Sequence, residues 1–285
     1  MTSSASVPDV AGHPYEPGHA GLSSRIVRFE QTLADRLATR VATVPFGVAR
    51  LSPDLPMVYD ASSVEVTSRI ATGALLDTVE RMFADAGLRH RRAHTTVGEV
   101  ARSINTVLVD RGWSVDHLVY MVYDDRIPAS GPERGFSAVD LATWAPAARR
   151  FIADEEWGRD PAVQEDMAAR DRRLVERIGA RLVLADDGSA GCHVYRYRGV
   201  AQIENVYVLS DARGKGVGRG LLASALWLCR GADLVFLIAD AEDWPRHWYQ
   251  RAGFKPVTTG WSWLRQPATG GSLGQVTRTM GGRRS

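Results

Sequence analysis

Apolar and polar residues in the first half of the chain recur with two different periods. Stretches in which apolar residues return every three or four positions predict amphipathic helices, and short, mainly apolar runs bounded by turn residues predict strands. Residues 1–24 and 266–285 show neither pattern, so we expect both ends to be unstructured. The predicted helices span residues 25–40, 75–86 and 97–110, and the predicted strands span residues 41–51, 57–66 and 118–123.

A stretch rich in proline and glycine at residues 126–134 separates this half from a more regular second half. We interpret it as a linker between two units, residues 25–125 and residues 135–265. The second unit is predicted to contain, in order, a strand, two helices, three strands, a helix, a strand, a helix and a strand. The elements are expected at residues 136–141, 146–157, 163–178, 181–185, 192–198, 203–209, 217–229, 234–239 and 243–253, followed by a strand that runs to residue 265.

A glycine-rich turn connects the last of the three consecutive strands to the following helix. The turn begins at Arg213 and reads Arg-Gly-Lys-Gly, and the helix opens at about Val217. The first N–H groups of a helix lack internal partners and carry the positive end of the helix dipole. Glycines let a ligand approach them, which makes such an end a phosphate site, and Lys215 and Arg219 add positive charge. The segment therefore predicts a bound diphosphate.

The glycine spacing distinguishes between diphosphate ligands. A dinucleotide fingerprint would place its third glycine on Arg219 or Leu221, and a phosphate-binding P-loop needs serine or threonine where Gly216 stands. The spacing that fits is Arg-x-x-Gly-x-Gly, at Arg213, Gly216 and Gly218. A structural turn with nothing bound is the alternative.

Together with the strand that precedes it, the Arg-x-x-Gly-x-Gly turn resembles the coenzyme A motif of the GNAT superfamily of acetyl-CoA-dependent N-acyltransferases. A second local resemblance is Tyr249-x-x-x-Gly253-Phe254, at the end of the next helix but one. The element order of residues 136–265 is also that of the superfamily. The resemblance implies an α/β (α+β) fold with a mixed sheet flanked by helices. It also implies an N-acetyltransferase that uses acetyl-CoA as co-substrate, needs no metal and lets a primary amine attack the thioester directly.

The first unit, residues 25–125, contains no Arg-x-x-Gly-x-Gly. Its ending, a helix followed by Gly112-Trp113 and a strand, echoes the helix, Gly-Phe and strand that end the second unit. This resembles the coenzyme-free first half of tandem GNAT proteins and implies a second, degenerate GNAT-like unit. An unrelated α/β cap packed over the active unit is the alternative.

The resemblance also implies which residues hold the coenzyme. The backbone of Val206 and Val208 would pair with the pantetheine arm, and the N–H groups from Gly214 to Arg219 would hold the pyrophosphate. The thioester would lie where this strand separates from the strand at residues 234–239. The expected coenzyme-binding residues are Val206, Tyr207, Val208, Arg213, Gly214, Lys215, Gly216, Val217, Gly218 and Arg219.

A primary amine has a pKa near 10.4, so at neutral pH a base must take its proton before it attacks. Glu204, on the strand before the glycine-rich turn, is the candidate base, acting directly or through water. A solvated or ion-paired strand carboxylate is the alternative. Its neighbour Asn205 is expected on the opposite face of the strand.

The resemblance implies that Tyr249 interacts with the departing thiolate. Tyrosine, with a pKa of about 10, is a weaker acid than a thiol at about 8.5, so we expect a hydrogen bond to sulfur rather than complete proton transfer. Half-buried aromatic packing is the alternative role. Helical spacing puts Trp244, Trp248 and Ala252 on one apolar stripe, with Tyr249 at its margin.

Composition narrows the possible partners. The net charge is +2 and basic residues do not cluster with aromatic ones, which argues against nucleic acid and anionic membranes. Cys192 and Cys229 are the only cysteines and lack metal-ligand spacing, and no apolar run reaches the roughly 18 residues of a membrane span. We therefore expect a cytoplasmic protein, and the resemblance implies that its acceptor is a small-molecule amine or, as the alternative, a protein amine. The oligomeric state stays open.

One departure from the family pattern keeps a second function open. The family often has an asparagine at the start of the helix that bears the tyrosine, whereas this chain has Glu242 and Asp243 there. A carboxylate at this place would repel phosphate but attract a cationic substrate. The sequence thus leaves two functions: an acetyltransferase, or a non-catalytic acyl-CoA-binding sensor or scaffold.

Overall fold

The computed structural model describes residues 20–127 and 131–267. Over this part of the chain, eleven strands form one continuous mixed sheet with helices on both faces, which confirms the predicted fold class. The strands are β1 (Arg40–Val44), β2 (Gly47–Leu51), β3 (Ser63–Val66), β4 (Arg91–Thr95), β5 (Ser114–Tyr123), β6 (Phe136–Val139), β7 (Arg181–Ala185), β8 (Ala190–Tyr197), β9 (Val200–Val208), β10 (Leu234–Asp240) and β11 (Phe254–Arg265).

Alternate residues of the central strands face different helices. In β10, Val235 and Leu237 pack with the helices that carry Leu221 and Tyr249, whereas Leu234 and Phe236 pack with the helices that carry Phe29 and Leu174 on the other face. These two clusters of buried side chains cover the two faces of the central strands. The helices are α1 (Ala20–Leu37), α2 (Thr72–Asp85), α3 (Gly98–Asp110), α4 (Leu141–Ala153), α5 (Pro161–Ile178), α6 (Val217–Leu228) and α7 (Pro245–Arg251).

The two halves of the chain repeat one order of elements. Strands β1, β2 and β3 form an antiparallel meander that is followed by α2, the parallel strand β4, α3 and the antiparallel strand β5. Strands β7, β8 and β9 form the same meander, followed by α6, the parallel strand β10, α7 and the antiparallel strand β11. The tandem arrangement expected from the sequence is therefore present, with β6, α4 and α5 preceding the second copy.

The halves exchange their last strands. The order across the sheet is β1-β2-β3-β4-β11-β5-β10-β9-β8-β7-β6. Strand β5 of the first half lies between β10 and β11, and β11 of the second half lies between β4 and β5. Each half thus supplies a strand that the other half needs to complete its sheet.

Three local expectations for the first half differ from the structure. The strand expected at residues 41–51 is a hairpin of β1 and β2, and only the end of the stretch 57–66 is a strand, β3. Strand β4 was not expected, because its sequence is rich in arginine and histidine. Its Arg92 nevertheless reaches neighbouring elements, where it pairs with Asp60 and donates to Ser262 Oγ at 3.0 Å.

The two chain ends and the linker are described only in part. Helix α1 begins at Ala20, earlier than expected, so residues 20–24 of the segment expected to be unstructured are helical. The rest of the expectation for the ends concerns residues 1–19 and 268–285, which lie outside the described residues. The same is true of residues 128–130, within the expected linker.

Two buried histidines make the core sensitive to acid. The ring of His90 is fully buried and stacks 4.4 Å from Tyr59, and His193 is equally enclosed. Burial is the main cause that lowers the pKa of His90 to about 3 and that of His193 to about 4. The charge of Arg92 lowers the first value further, whereas Asp171 partly offsets the second.

We expect the free energy of unfolding to fall as the pH decreases from about 6.5, where an unfolded histidine gains its proton, toward the native values of about 3 and about 4. Between these limits the unfolded state binds more protons than the folded state does. Each histidine therefore lowers the free energy of unfolding by up to about 1.4 kcal/mol for each pH unit of decrease. His90→Phe keeps a ring in place and should make this dependence shallower. Urea unfolding at several pH values tests it; identical slopes in wild type and variant would contradict it.

Candidate active site

The glycine loop (residues 213–216) joins a short 3-10 turn after β9 to α6. Gly214 and Gly216 have φ values of 77° and 84°, in the left-handed region that favours glycine. A Cβ at either position would meet no atom within 4 Å, so the outer side of the loop is open to a ligand. Helix α6 begins at Val217, as expected, and Lys215 and Arg219 are exposed beside its N-terminus.

Side-chain hydrogen bonds anchor the loop to β9 and α4. Arg213 donates through Nε to the carbonyl of Val208 at 3.0 Å. Asp154, just after α4, accepts from the hydroxyl of Tyr207 at 2.8 Å and from the backbone N–H of Ser210 at 3.1 Å. Burial raises the pKa of Asp154, but these hydrogen bonds outweigh it and hold the pKa below its usual range. The loop is therefore held in place before any ligand arrives.

The side chain of Tyr207 has a structural role. It is buried against Phe151, with ring centroids 5.1 Å apart, and its hydroxyl donates a hydrogen bond to Asp154. Tyr207 is one of the residues expected to bind the coenzyme, and it can do so only through its backbone. Asp154 was not singled out in the sequence, because nothing near it in the chain shows that it will reach the glycine loop.

Strands β9 and β10 separate beside this loop. Their parallel pairing joins Leu234 with Val200 and ends where Phe236 pairs with Gln202. Beyond that pair both strands continue, and an opening, the strand gap, lies between residues 203–208 of β9 and residues 237–240 of β10. The separation expected from the sequence is present at this place.

The backbone of β9 offers donors to the strand gap. Leu209 donates its N–H toward β8, to Ser189 at 2.9 Å, so the alternation of an extended chain turns the N–H groups of Val206 and Val208 toward the gap. The carbonyl of Val208 is already used by Arg213. A ligand in the gap can pair with the carbonyl of Val206 and with both N–H groups.

A cavity of about 100 Å³ lies on the α1 and α5 face of the sheet, at the start of the strand gap. We call it the inter-half cavity, because α1 and the connection from β2 to β3 form one wall, and α5, β8 and β9 form the other. Gln202, Glu204 and Asn205 of β9 all line it. The strand that leads to the glycine loop thus also forms the floor of this cavity.

Glu204 and Asn205 lie on the same side of the strand, so the expectation that they face opposite sides is wrong. Asn205 has a φ of 52°, and the pairing of β8 with β9 shifts register between Gly191 and His193. The resulting bulge interrupts the alternation of side chains, so that two successive residues line the inter-half cavity. Asparagine tolerates the left-handed region better than most residues do.

A buried polar network holds the bulge. The amide of Asn205 donates to Nδ1 of His193 at 2.9 Å, which leaves the ring proton on Nε2, 3.8 Å from a carboxylate oxygen of Asp171. Asp171 accepts from the indole of Trp144 at 2.7 Å and from Arg170 at 3.0 Å, whereas Nε2 of His193 has no hydrogen-bond partner among the described residues. Since the pKa of His193 is lowered to about 4, the ring is neutral at neutral pH.

Tyr249 is more enclosed, and Trp244 more exposed, than helical spacing suggested. Tyr249 is only 5% exposed and packs on Trp248 and Phe254, whereas Trp244 is 45% exposed. The expected stripe fails because α7 begins at Pro245 and leaves Trp244 outside the helix. Burial, followed by nearby Cys192, raises the pKa of the Tyr249 phenol.

The first half has a similar strand opening without the glycine loop. Strands β3 and β4 pair in parallel only at Val64 with Ala93 and at Glu65 with His94. The next carbonyl of β3, that of Val66, accepts from the side-chain hydroxyl of Thr95 at 2.6 Å. This edge is therefore partly used from within the protein, and the expectation that the first half holds no coenzyme stays a prediction.

In the ranges 20–127 and 131–267, no group of three or more histidine, cysteine or carboxylate residues is arranged to hold a metal ion. Within the same ranges, no helix is long and apolar enough to cross a membrane.

Comparison with known proteins finds one family match, within the second half of the chain. Residues 175–256 match the family model of the acetyltransferase (GNAT) domain. The matched segment runs from α5 into β11, so it contains β9, the glycine loop, α6 and Tyr249. No curated protein matches the sequence.

Solved structures share the fold over both halves. A conserved protein of unknown function from Staphylococcus epidermidis superposes with a TM-score of 0.66 at 12% identity, covering 84% of this chain and 97% of that one. A GCN5-related N-acetyltransferase from Kribbella flavida gives a TM-score of 0.58 at 20% identity, covering 88% of this chain and 97% of that one. The glucosamine N-acetyltransferase region of a fungal multi-domain β-N-acetylglucosaminidase gives 0.52 at 14% identity, covering 91% of this chain and 40% of that one.

Proposed function

We propose that this protein, whose residues 175–256 match the family model of the acetyltransferase (GNAT) domain, is an N-acetyltransferase that moves the acetyl group of acetyl-CoA to a primary amine by direct attack. One observation carries the proposal. The pairing of β9 with β10 ends at Gln202 and Phe236, so the strand gap begins beside a cavity that Gln202 and Glu204 line and runs toward the glycine loop with its open backbone. A donor and an acceptor can therefore meet at the start of the strand gap.

The coenzyme would be held mainly by backbone groups. The N–H groups of Val206 and Val208 face the strand gap, where they can pair with the amides of the pantetheine arm. The N-terminus of α6 and the exposed side chains of Lys215 and Arg219 favour the pyrophosphate. When bound, acetyl-CoA supplies an activated thioester.

Glu204 is the proposed base. It lines the inter-half cavity beside the start of the strand gap, where it can take a proton from a bound ammonium group directly or through water. The neutral nitrogen then forms a bond to the acetyl carbon, and the bond from that carbon to sulfur breaks. The nitrogen releases its second proton as the amide forms, and this proton reaches the departing thiolate through water to give the free thiol. Arg170 and Asn205 line the same cavity and help to fix the acceptor.

Tyr249 is proposed to donate a hydrogen bond to the departing sulfur. Because burial raises the pKa of its phenol, complete proton transfer to a thiolate is even less favourable than for an exposed tyrosine. A hydrogen bond that strengthens as charge develops on sulfur stabilises the transition state without that transfer.

Tyr249→Phe removes the hydroxyl and keeps the ring packing, so we expect kcat to fall about 10- to 100-fold while the coenzyme affinity stays within about twofold. Glu204→Gln should lower kcat/KM about 100-fold near neutral pH, and less near pH 10, where about a quarter of the amine is neutral without a base. Release of free coenzyme thiol, with and without an amine, measures both variants.

Unchanged amine-dependent rates in both variants would contradict these roles. A different result, coenzyme binding with no thiol release for any amine, would support the non-catalytic acyl-CoA sensor. That alternative is favoured only by the acidic residues Glu242 and Asp243, which stand where the family often has asparagine.

A further inference from the structure

We propose that the acceptor is a small amino acid or an analogue of one, a primary amine with a carboxylate or carbonyl oxygen on the neighbouring carbon, and that Gln202 and Arg170 recognise that oxygen in the inter-half cavity. The inference rests on the proposed function and adds the class of acceptor to it. It follows from polar groups in the cavity whose hydrogen-bonding capacity is not used within the protein.

Gln202 is the first of these groups. The residue is fully buried and lines the inter-half cavity, yet among the described residues neither its amide nitrogen nor its amide oxygen has a hydrogen-bond partner. A buried polar group without a partner lowers stability by about 1–3 kcal/mol, so such a group in a cavity indicates a ligand that completes it. Because the amide both donates and accepts, the matching ligand must offer an acceptor and a donor.

Arg170 is the second group. Its Nε and Nη2 both donate to one oxygen of Asp171, at 3.3 Å and 3.0 Å, and these bonds leave Nη1 for a molecule in the cavity. The pair with Asp171 keeps the guanidinium charged although burial opposes it. A guanidinium and a carboxamide that line one cavity provide N–H donors suited to a carboxylate or carbonyl oxygen.

The position of Glu204 places the amine close to that oxygen. Gln202 and Glu204 are two residues apart on β9, so their Cα atoms are about 7 Å apart, and both side chains line the cavity. An acceptor that contacts both must carry its amine and its oxygen within a few bonds of each other. An α-amino acid has this arrangement, with the amine toward Glu204 and the strand gap.

The size of the cavity favours a small member of the class. Its volume is about 100 Å³. An apolar cavity of about 150 Å³ admits benzene, which has as many non-hydrogen atoms as alanine, so alanine lies near the upper limit of size for this smaller cavity. Leu33, Leu55 and Leu174 supply apolar wall, and since Leu33 and Leu55 come from the first half, that half takes part in choosing the acceptor.

A diamine fits these groups less well. Its second cationic nitrogen could contact a carboxylate of the cavity, but it would leave the amide N–H groups of Gln202 buried without an acceptor and would place a positive charge beside Arg170. A buried donor without an acceptor costs free energy. A site built for hydrogen bonding therefore binds a ligand that lacks the matching group only weakly. A simple alkylamine would be rejected for the same reason.

The first test compares four amines as acceptors: L-alanine, L-alaninamide, ethylamine and putrescine. Release of coenzyme thiol from acetyl-CoA gives kcat/KM for each. We expect alanine and alaninamide to exceed ethylamine and putrescine by about 100-fold, and the ratio of alanine to alaninamide separates recognition of a carboxylate from recognition of a carbonyl. Ethylamine or putrescine equal to both alanine compounds would overturn the inference.

Gln202→Met tests the site with a second kind of measurement. Methionine fills a similar volume and removes an amide that has no partner in the ligand-free protein, so the Tm should stay equal or rise. The KM for alanine should rise about 10- to 100-fold, and the KM for ethylamine should stay the same. A lowered Tm with an unchanged KM for alanine would show that Gln202 is a structural residue and would overturn the inference.

Arg170→Gln should also raise the KM for alanine, and Arg172→Gln is its matched control, because Arg172 lies on the same helix with its side chain exposed.

Calorimetric titration of L-alanine into protein saturated with coenzyme A separates the acceptor site from the proposed enzyme activity. Alanine binding without thiol release from any amine would support the site and contradict the enzyme. Thiol release without preference for alanine would support the enzyme and contradict the site.

Discussion

The second half of the chain, expressed from residue 131 onward, is expected not to fold on its own. Strand β5, which belongs to the first half, lies between β10 and β11 and pairs with both. Its removal would leave two strand edges without partners at the centre of the sheet. Exposed edges of this kind favour aggregation.

Loss of β5 also removes apolar contacts on both faces of the sheet. Val119 and Met121 belong to the cluster that contains α6 and Tyr249, and Leu118 and Tyr120 belong to the cluster that contains α1. Burying one large apolar side chain contributes about 1.5–3 kcal/mol, so the four together match the roughly 5–15 kcal/mol that stabilises a whole domain. The loss is too large for the remaining half to compensate.

Expression of the two halves as separate chains, residues 1–127 and residues 131–285, measures this. Each alone should aggregate or unfold without cooperativity, and coexpression should restore a soluble one-to-one complex, because exchanged strands can pair across two chains as they do within one. A second half that is soluble, monomeric and cooperative by itself would contradict the importance of the exchange.

Gly216→Glu is expected to lower the affinity for acetyl-CoA by at least about 100-fold without unfolding the protein. A Cβ at this position meets no atom within 4 Å, so the new side chain extends over the open side of the loop. A carboxylate about 4 Å from a phosphate costs about 4 kcal/mol at the effective dielectric constant of a protein surface. The left-handed φ of 84° adds strain of about 1–3 kcal/mol to the folded state.

Gly87→Glu is the matched control for that strain. Gly87 has a φ of 70°, and a Cβ there would likewise meet no atom within 4 Å, but it lies after α2 in the first half. Both variants should lose similar thermal stability, and only Gly216→Glu should lose coenzyme affinity. Equal affinity in the two variants would contradict a phosphate site at the glycine loop.

The sequence predicts best what is encoded by neighbouring residues. The strand, glycine loop and helix from Val200 to Leu228 are recognisable because the spacing of Arg213, Gly216 and Gly218 and the apolar helix after them are local features. The element order of the whole second half is confirmed for the same reason. The strand exchange is invisible in the sequence, because β5 and β11 read as ordinary strands whichever neighbours they pair with.

Site residues that depend on distant contacts also escape sequence reasoning. Asp154 reaches Tyr207 and Ser210 across more than fifty residues of chain, and Gln202 reads as one polar residue in a strand until the cavity beside it is known. The bulge at Asn205 has no neighbouring glycine or proline to mark it. Simple alternation along the strand therefore places Asn205 on the wrong side of β9, directly beside the candidate base Glu204.

Calorimetric titration of acetyl-CoA into the full chain tests the central claim most directly. We expect one site per chain with a dissociation constant in the micromolar range or below, because only the second half has a glycine loop, whereas Thr95 partly occupies the matching edge of the first half. Loss of this binding in Gly216→Glu and its retention in Gly87→Glu would place the site at the glycine loop. No binding to wild-type protein whose circular dichroism shows that it is folded would contradict the account and leave the glycine loop as a structural turn.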